Sequence, residues 1–302
     1  MPTHPMCVGR IIQRGATMKT YQYSICGLRI RLDSEYELSR EERSCRFASA
    51  DQISDVHVIL HAVQKIPNPE GIPCKSSPEF PVWRHRDEIS RCCWDRDRPN
   101  PHFLAEYDLH NPTEVRCSVR QECWLWATRE PELWSGMQLT YQLLHHRGLV
   151  LHACYAGFEG AGILFVSPDG TDGLRQARLW QTHLGASVLN GTHAGVHLGA
   201  VPMACGLPCT AADGICENVS LPLKAVAVVQ RAADNAVQRL TPSGAVRALR
   251  PALAVDQAVS EEWQIAQRLL QDLTEQVPVY AMKCTPDERA VEELRQAIFA
   301  QI

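Results

Sequence analysis

Ile163-Leu164-Phe165-Val166, followed by Ser167-Pro168-Asp169-Gly170-Thr171-Asp172-Gly173-Leu174, is the stretch on which the fold of this chain turns. Four consecutive apolar residues predict a buried strand, and the Ser/Pro/Asp/Gly cluster predicts a loop over 167–173. Leu174, Ala177, Leu179 and Trp180 then predict a helix from Leu174 to His183. Strand, glycine-bearing loop and helix form the frame of a phosphate-binding loop, where backbone N–H groups and the helix N-terminus hold an anion. A working G-x-x-x-x-G-K-[ST] loop also needs a lysine for the β and γ phosphates and a hydroxyl for magnesium. Here Ser167 and Asp172 stand at the glycine positions, Gly173 at the lysine position and Leu174 at the hydroxyl position. Only Gly170 and Thr171 keep the composition of such a loop. Relative to lysine and glycine, Gly173 and Asp172 lower the local formal charge by two. At about 4–5 Å and an effective dielectric near 20, each unit is worth about 3–4 kcal/mol. Polyphosphate affinity is therefore expected to fall by orders of magnitude, unless Arg175 or Arg178 supplies a substitute cation. Restoring Gly, Lys and Ser at 172–174 is expected to bring nucleotide binding back.

Outward from this stretch, α/β character continues. Leu149 to Cys154 predicts a buried strand, Gly160 and Gly162 a turn, and Ser187-Val188-Leu189 another strand. Ala225 to Gln230 and Val277 to Met282 are further strands. Ser260 to Glu275 and Asp287 to Phe299 read as amphipathic helices, with Pro286 at the start of the second. Upstream, Leu133, Met137, Thr140, Tyr141 and Leu144 mark one face of a helix over 131–147, stopped by Gly148.

Residues 19–128 differ. Tyr21–Cys26, Ile30–Leu32, Val56–Leu60, Phe103–Tyr107, Val115–Val119 and Trp124–Trp126 are short strand-like runs, which predict an antiparallel β-rich region. Trp83, Trp94, Trp124 and Trp126 read as sheet-packing residues, with a ligand cage as the other reading. The Arg/Glu-rich runs 40–46 and 84–98 read as solvated loops. The division is 1–18 as a disordered lead, 19–130 as a β-rich region and 131–302 as an α/β domain; Met18 is an alternative start.

The 302 residues are 45% hydrophobic and carry a formal charge of -4, enough apolar content for one large or two modest cores. That balance points to no nucleic-acid partner, and no apolar run is long enough for a membrane helix. The basic N-terminus has no apolar core of a secretory signal. The 13 cysteines read as thiols of a cytoplasmic protein. Cys205, Cys209 and Cys216 leave a metal site open as the other reading, although C-x3-C-x6-C is not a zinc spacing. Adjacent His145-His146 with His152 is the other metal candidate; no metal is expected.

The order of these segments resembles the HPr-kinase-like family of bacterial P-loop kinases, which phosphorylate serines of carrier proteins or modified peptides. SPDGTDGLRQARLW (167–180) resembles the family's GPSGTGKSTQAxLW, and Leu189-Asn190-Gly191-Thr192-His193 its LNGDR. Gly206-Leu207-Pro208 through Gly214-Ile215-Cys216-Glu217-Asn218 resembles its GSPW…GI..N loop, and Pro222–Ala225 and Val277 to Val291 continue the match. It covers about 140–300 and is weaker over 19–128. It implies a mixed sheet flanked by helices, a degenerate P-loop at 167–175, a retained catalytic histidine at His152 and a degenerate base position at Thr192, where the family has an acidic general base. His193 replaces the family's arginine, and its late-loop Trp and small or basic residues fall at Cys209 to Ala212. A lone histidine on a buried strand also reads as a core residue. With the lysine, hydroxyl and base absent, the resemblance implies a pseudokinase that binds a carrier protein, a peptide or an active relative, without ATP or magnesium. An active ATP-dependent serine kinase with a displaced cation is the alternative, and a ligand-free structural remnant the third reading.

Overall fold

A computed structural model describes residues 18–39, 45–76, 80–94, 100–167, 170–208 and 214–300. The expectations for the N-terminal lead up to residue 17, for Pro168-Asp169 and for Cys209 to Ala212 lie outside these residues.

The chain is mixed α/β, built on two mixed sheets. The first contains β1 (Lys19–Ile25), β2 (Leu28–Ser34), β3 (Val56–Val63), β4 (Ile72–Pro73), β5 (Val82–His85), β6 (Glu88–Cys93), β7 (Phe103–Asp108) and β8 (Glu114–Arg120), in spatial order β1-β2-β3-β8-β7-β6-β5-β4. The expected antiparallel character holds for most pairs but not for β2–β3 and β3–β8, which are parallel. Alternation of apolar residues fixes the buried face of a strand and says nothing of its direction.

Three short helices follow: α1 (Trp124–Ala127), α2 (Glu132–Gly136) and α3 (Leu139–His145). Trp124–Trp126 is thus helical rather than extended. Trp124 is buried edge-on to Tyr36, its ring centroid 5.3 Å away, and donates its N–H to the carbonyl of Glu37 at 3.0 Å. The single helix expected over 131–147 is interrupted. Gln138 takes a left-handed conformation with φ 61°, held by its side-chain amide, which donates to the carbonyl of Ser135 at 2.8 Å. The apolar face read from the periodicity survives the break, because Leu133, Met137, Tyr141 and Leu144 are all buried.

The second sheet contains β9 (Gly148–His152), β10 (Cys154–Phe158) and β11 (Ala161–Val166). After α4 (Thr171–Leu184) come β12 (Ser187–Asn190), β13 (His193–Leu198), β14 (Pro202–Cys205), β15 (Ser220–Arg231) and β16 (Ala236–Arg239). After α5 (Pro242–Leu249) and α6 (Ser260–Gln276), β17 (Val279–Cys284) and α7 (Glu288–Phe299) close the chain. The spatial order is β12-β10-β11-β15-β14-β13-β9, with β17 on the far half of β15 and β16 beyond it. The three strands β11, β15 and β17 are parallel, so their carboxyl ends, Val166, Arg231 and Cys284, lie along one edge. That edge is where open α/β sheets place ligands.

Their side chains are buried on both faces, as a parallel sheet covered on both sides requires. Ile163, Phe165, Ala225, Ala227 and Met282 face α4 and α7, with Trp180 at the centre of that layer. Phe165 and Phe158 meet Trp180 edge-on at 5.7 and 5.5 Å. Leu164, Val166 and Val226 face the opposite core, shared with Leu249, Leu270 and Leu273 of α5 and α6 and with the first sheet.

The Arg/Glu-rich run 84–98, read as a solvated loop, carries β6 instead. Arg91 and Glu262 are buried, at 3% and 0% side-chain exposure, and form an ion pair between β6 and α6. Arg91 also donates to the Tyr107 hydroxyl at 2.9 Å and to Asp256 at 3.1 Å, and its guanidinium lies 3.6 Å from the Tyr141 ring centroid. Tyr107 donates to Glu262 at 2.6 Å. Burial raises the Glu262 pKa, but the Arg91 charge and the converging donors outweigh it, leaving that carboxyl below its usual range. No helix among the described residues is long and apolar enough to cross a membrane.

Candidate functional site

The candidate site is the carboxyl edge of the second sheet, where β11 runs into α4. α4 begins at Thr171, three residues earlier than the periodicity indicates, and Gly170 precedes it with φ 73°. Thr171 and Asp172, which belong to the expected loop, are therefore wound into the first helical turn.

Ser167 caps part of that turn from within. The N–H of Gly173 donates to the Ser167 hydroxyl at 3.0 Å, and the N–H of Gly170 to the Ser167 carbonyl at 3.2 Å. Ser167, at a position that a phosphate loop gives to glycine, thus takes a backbone donor that such a loop turns toward phosphate. Gly173 is buried against β11. A Cβ there would lie 2.7 Å from the carbonyl oxygen of Phe165, too close for any side chain without moving the backbone. The lysine expected to restore nucleotide binding is therefore opposed by Phe165. Leu174 is half-buried and packs into the α4 layer.

The charges are paired as well. Asp172 meets Arg231, at the end of β15, at 2.7 Å, with side-chain exposures of 16% and 57%. Asp172, Arg175, Gln176, Val229, Arg231, Cys284 and Pro286 line a cleft of about 10 Å³. This is close to the smallest space that accepts one water. Arg175 is exposed and borders the cleft. Arg178 lies one turn further along, exposed, donating to Gln181 at 3.0 Å.

Beside this start, a clamp holds the strand ends. Asn190 is fully buried. Its amide donates to the carbonyl of Leu207 at 2.9 Å and accepts from the Leu207 N–H at 3.1 Å. A Cβ at Gly206 would overlap the carbonyl oxygen of Glu217, so glycine is required there. Arg46 pairs with Glu217 and donates to the carbonyl of Cys216 at 2.9 Å, and Asn218 donates to the carbonyl of Arg46 at 2.9 Å. These contacts tie the first-sheet region to the loop after β14.

His152 ends β9 and is exposed, so it is not a core residue. It lies directly across from His193, which opens β13, with ring centroids 4.7 Å apart. Loss of hydration lowers the pKa of both; for His193, with the second ring adding repulsion, it falls to about 4. Thr192 sits 3.2 Å from His193 Nδ1 through its hydroxyl, a group that is no general base at neutral pH. In the sequence His193 stands out only as a substituted arginine; its pairing with His152 depends on strand register, which no local pattern encodes.

Among the described residues, the other candidates do not assemble. His145 Nε2 approaches Glu262 at 3.9 Å, and His146 shows a pKa lowered by burial and opposed by Asp55. Cys205 and Cys216 are buried thiols that form no disulfide among the described residues. Burial pushes Cys92 and Cys93 up to about 12. Among the described residues, no three His, Cys, Asp or Glu side chains converge on one metal position. No protein-family model matches the chain, and no curated protein matches it significantly.

Proposed function

We propose that this chain is a catalytically inactive HPr-kinase-like protein that binds a carrier protein or peptide, or an active relative, without transferring phosphate. One observation carries the reading: the Gly173 N–H is held by Ser167, and the Gly173 Cα is pressed against the Phe165 carbonyl. A lysine has no room there, and a backbone donor meant for phosphate is engaged. Pairing of Asp172 with Arg231 and the cleft of about 10 Å³ support the same conclusion. The partner class follows from the resemblance of 167–193 and 206–218 to kinases that act on such partners. Asn190, Gly206 and Asn218 keep architectural roles that need no nucleotide.

The alternative, an active ATP-dependent serine kinase, draws on Arg175 and Arg231, the two cations that line the cleft beside the helix start. Phosphotransfer separates the two readings. The chain is incubated with labelled ATP, magnesium and a serine-containing carrier protein, and binding to the carrier is followed by calorimetry. The expected result is saturable carrier binding with no label transferred. Transfer abolished by Arg175→Ala would establish the kinase instead. Absence of both binding and transfer would leave only a structural remnant.

A further inference from the structure

We propose that His152 and His193 form a two-imidazole chelate for a late first-row divalent cation of the Zn²⁺ or Ni²⁺ type. The backbone assembles the pair. His152 on β9 and His193 on β13 are direct antiparallel partners. The N–H of Ala153 donates to the carbonyl of Thr192 at 3.0 Å, a bond that joins the residues flanking the pair. The two histidines therefore occupy a non-hydrogen-bonded register, in which Cα atoms are about 4.5 Å apart and side chains on one face come closest.

The rings use that closeness. Their centroids are 4.7 Å apart at an interplanar angle of 58°, neither stacked nor edge-on. His152 is exposed and His193 half-buried, so a cation reaches the pair from solvent. The Thr192 hydroxyl, 3.2 Å from His193 Nδ1, holds that ring as an outer hydrogen bond holds a metal-ligating histidine. With Nδ1–H donating to the hydroxyl, Nε2 presents its lone pair. Both ligands sit on strand ends of one sheet, so little freedom is lost when a cation joins them.

The chemistry selects the ion. Neutral imidazole suits zinc, nickel and copper, whereas magnesium and calcium require oxygen ligands. No third histidine, cysteine or carboxylate joins the pair among the described residues. Remaining coordination positions are then left to water or to a donor brought by a partner. This inference does not depend on the pseudokinase reading, since it concerns a different ion and different ligands from a magnesium-nucleotide site.

The test is calorimetric titration of Ni²⁺ and Zn²⁺ into the full chain with its thiols kept reduced, with Mg²⁺ as control. One Ni²⁺ or Zn²⁺ per chain and no Mg²⁺ are expected. His152→Ala and His193→Ala should each weaken the site tenfold or more, about 1.4 kcal/mol. His197→Ala, on the same strand, should leave it unchanged. Paramagnetic broadening by Ni²⁺ should centre on the amides of 151–153 and 192–194 in the unaltered chain, a readout independent of how any variant folds. A folded double variant that binds with unchanged affinity, broadening centred elsewhere, or no stoichiometric uptake would each overturn the assignment.

Discussion

Arg91–Glu262 and Asp172–Arg231 are both ion pairs, yet they do opposite work. The first is buried at 3% and 0% exposure and joins residues 171 positions apart. The second lies at a sheet edge, with Arg231 57% exposed. A buried charge must be paired or leave the fold unstable, so the Arg91 cluster fixes how the first sheet meets α6. An exposed pair is screened and worth little to stability. What Asp172–Arg231 does is occupy the mouth of α4 with its own charges. The contrast separates a part of the molecule that is constrained by folding from a sheet edge whose charges are paired at the surface.

The largest effect should come from Arg91→Met. It leaves Glu262 buried without its strongest partner and should cost about 3–5 kcal/mol, read as a lowered urea midpoint. The pH profile sharpens this. The folded-state pKa of Glu262 lies below its ordinary 4.5, so its contribution is present above that value and lost as pH falls through the lowered one. In the variant, burial without Arg91 should raise the Glu262 pKa. Stability should then decline as pH rises through about 4.5 rather than as it falls. A variant with unchanged midpoint and unchanged acid limb would remove the distinction between the two pairs.

Smaller is the expected cost of Gly173→Lys. Its Cβ would lie 2.7 Å from the Phe165 carbonyl, and relief of such overpacking typically costs about 1–3 kcal/mol. Thermal denaturation should show the loss, and nucleotide titration of the same variant should show no gain. Stability equal to the parent, with ATP bound, would mean that the turn reopens easily. Smallest is Asp172→Asn, which should change stability by no more than about 1 kcal/mol in a denaturant titration. A larger loss would place this pair among the structural ones.

How far these features could be read from sequence follows from where their causes lie. β11, β15, α6 and α7 were legible because apolar runs and helical periodicity are local. The loop position between β11 and α4 was legible for the same reason, but its condition was not. Ser167 takes the Gly173 N–H and Phe165 blocks the Gly173 Cα through contacts that appear only when the turn is built. Arg91 was hidden in a run rich in charge, although Ile89, Cys92 and Cys93 beside it are apolar and buried, and its partner lies far along the chain on α6. The break at Gln138 depends on a left-handed residue stabilised by its own side chain, against a periodicity that runs through it. His193 became a candidate only once β9 and β13 were in register.

Calorimetric titration of magnesium-ATP into the unaltered chain tests the closure of α4 most directly. With the Gly173 N–H held by Ser167 and Asp172 held by Arg231, no saturable heat is predicted below roughly millimolar nucleotide. Stoichiometric binding in the micromolar range, weakened by Arg175→Ala or Arg231→Ala, would contradict it.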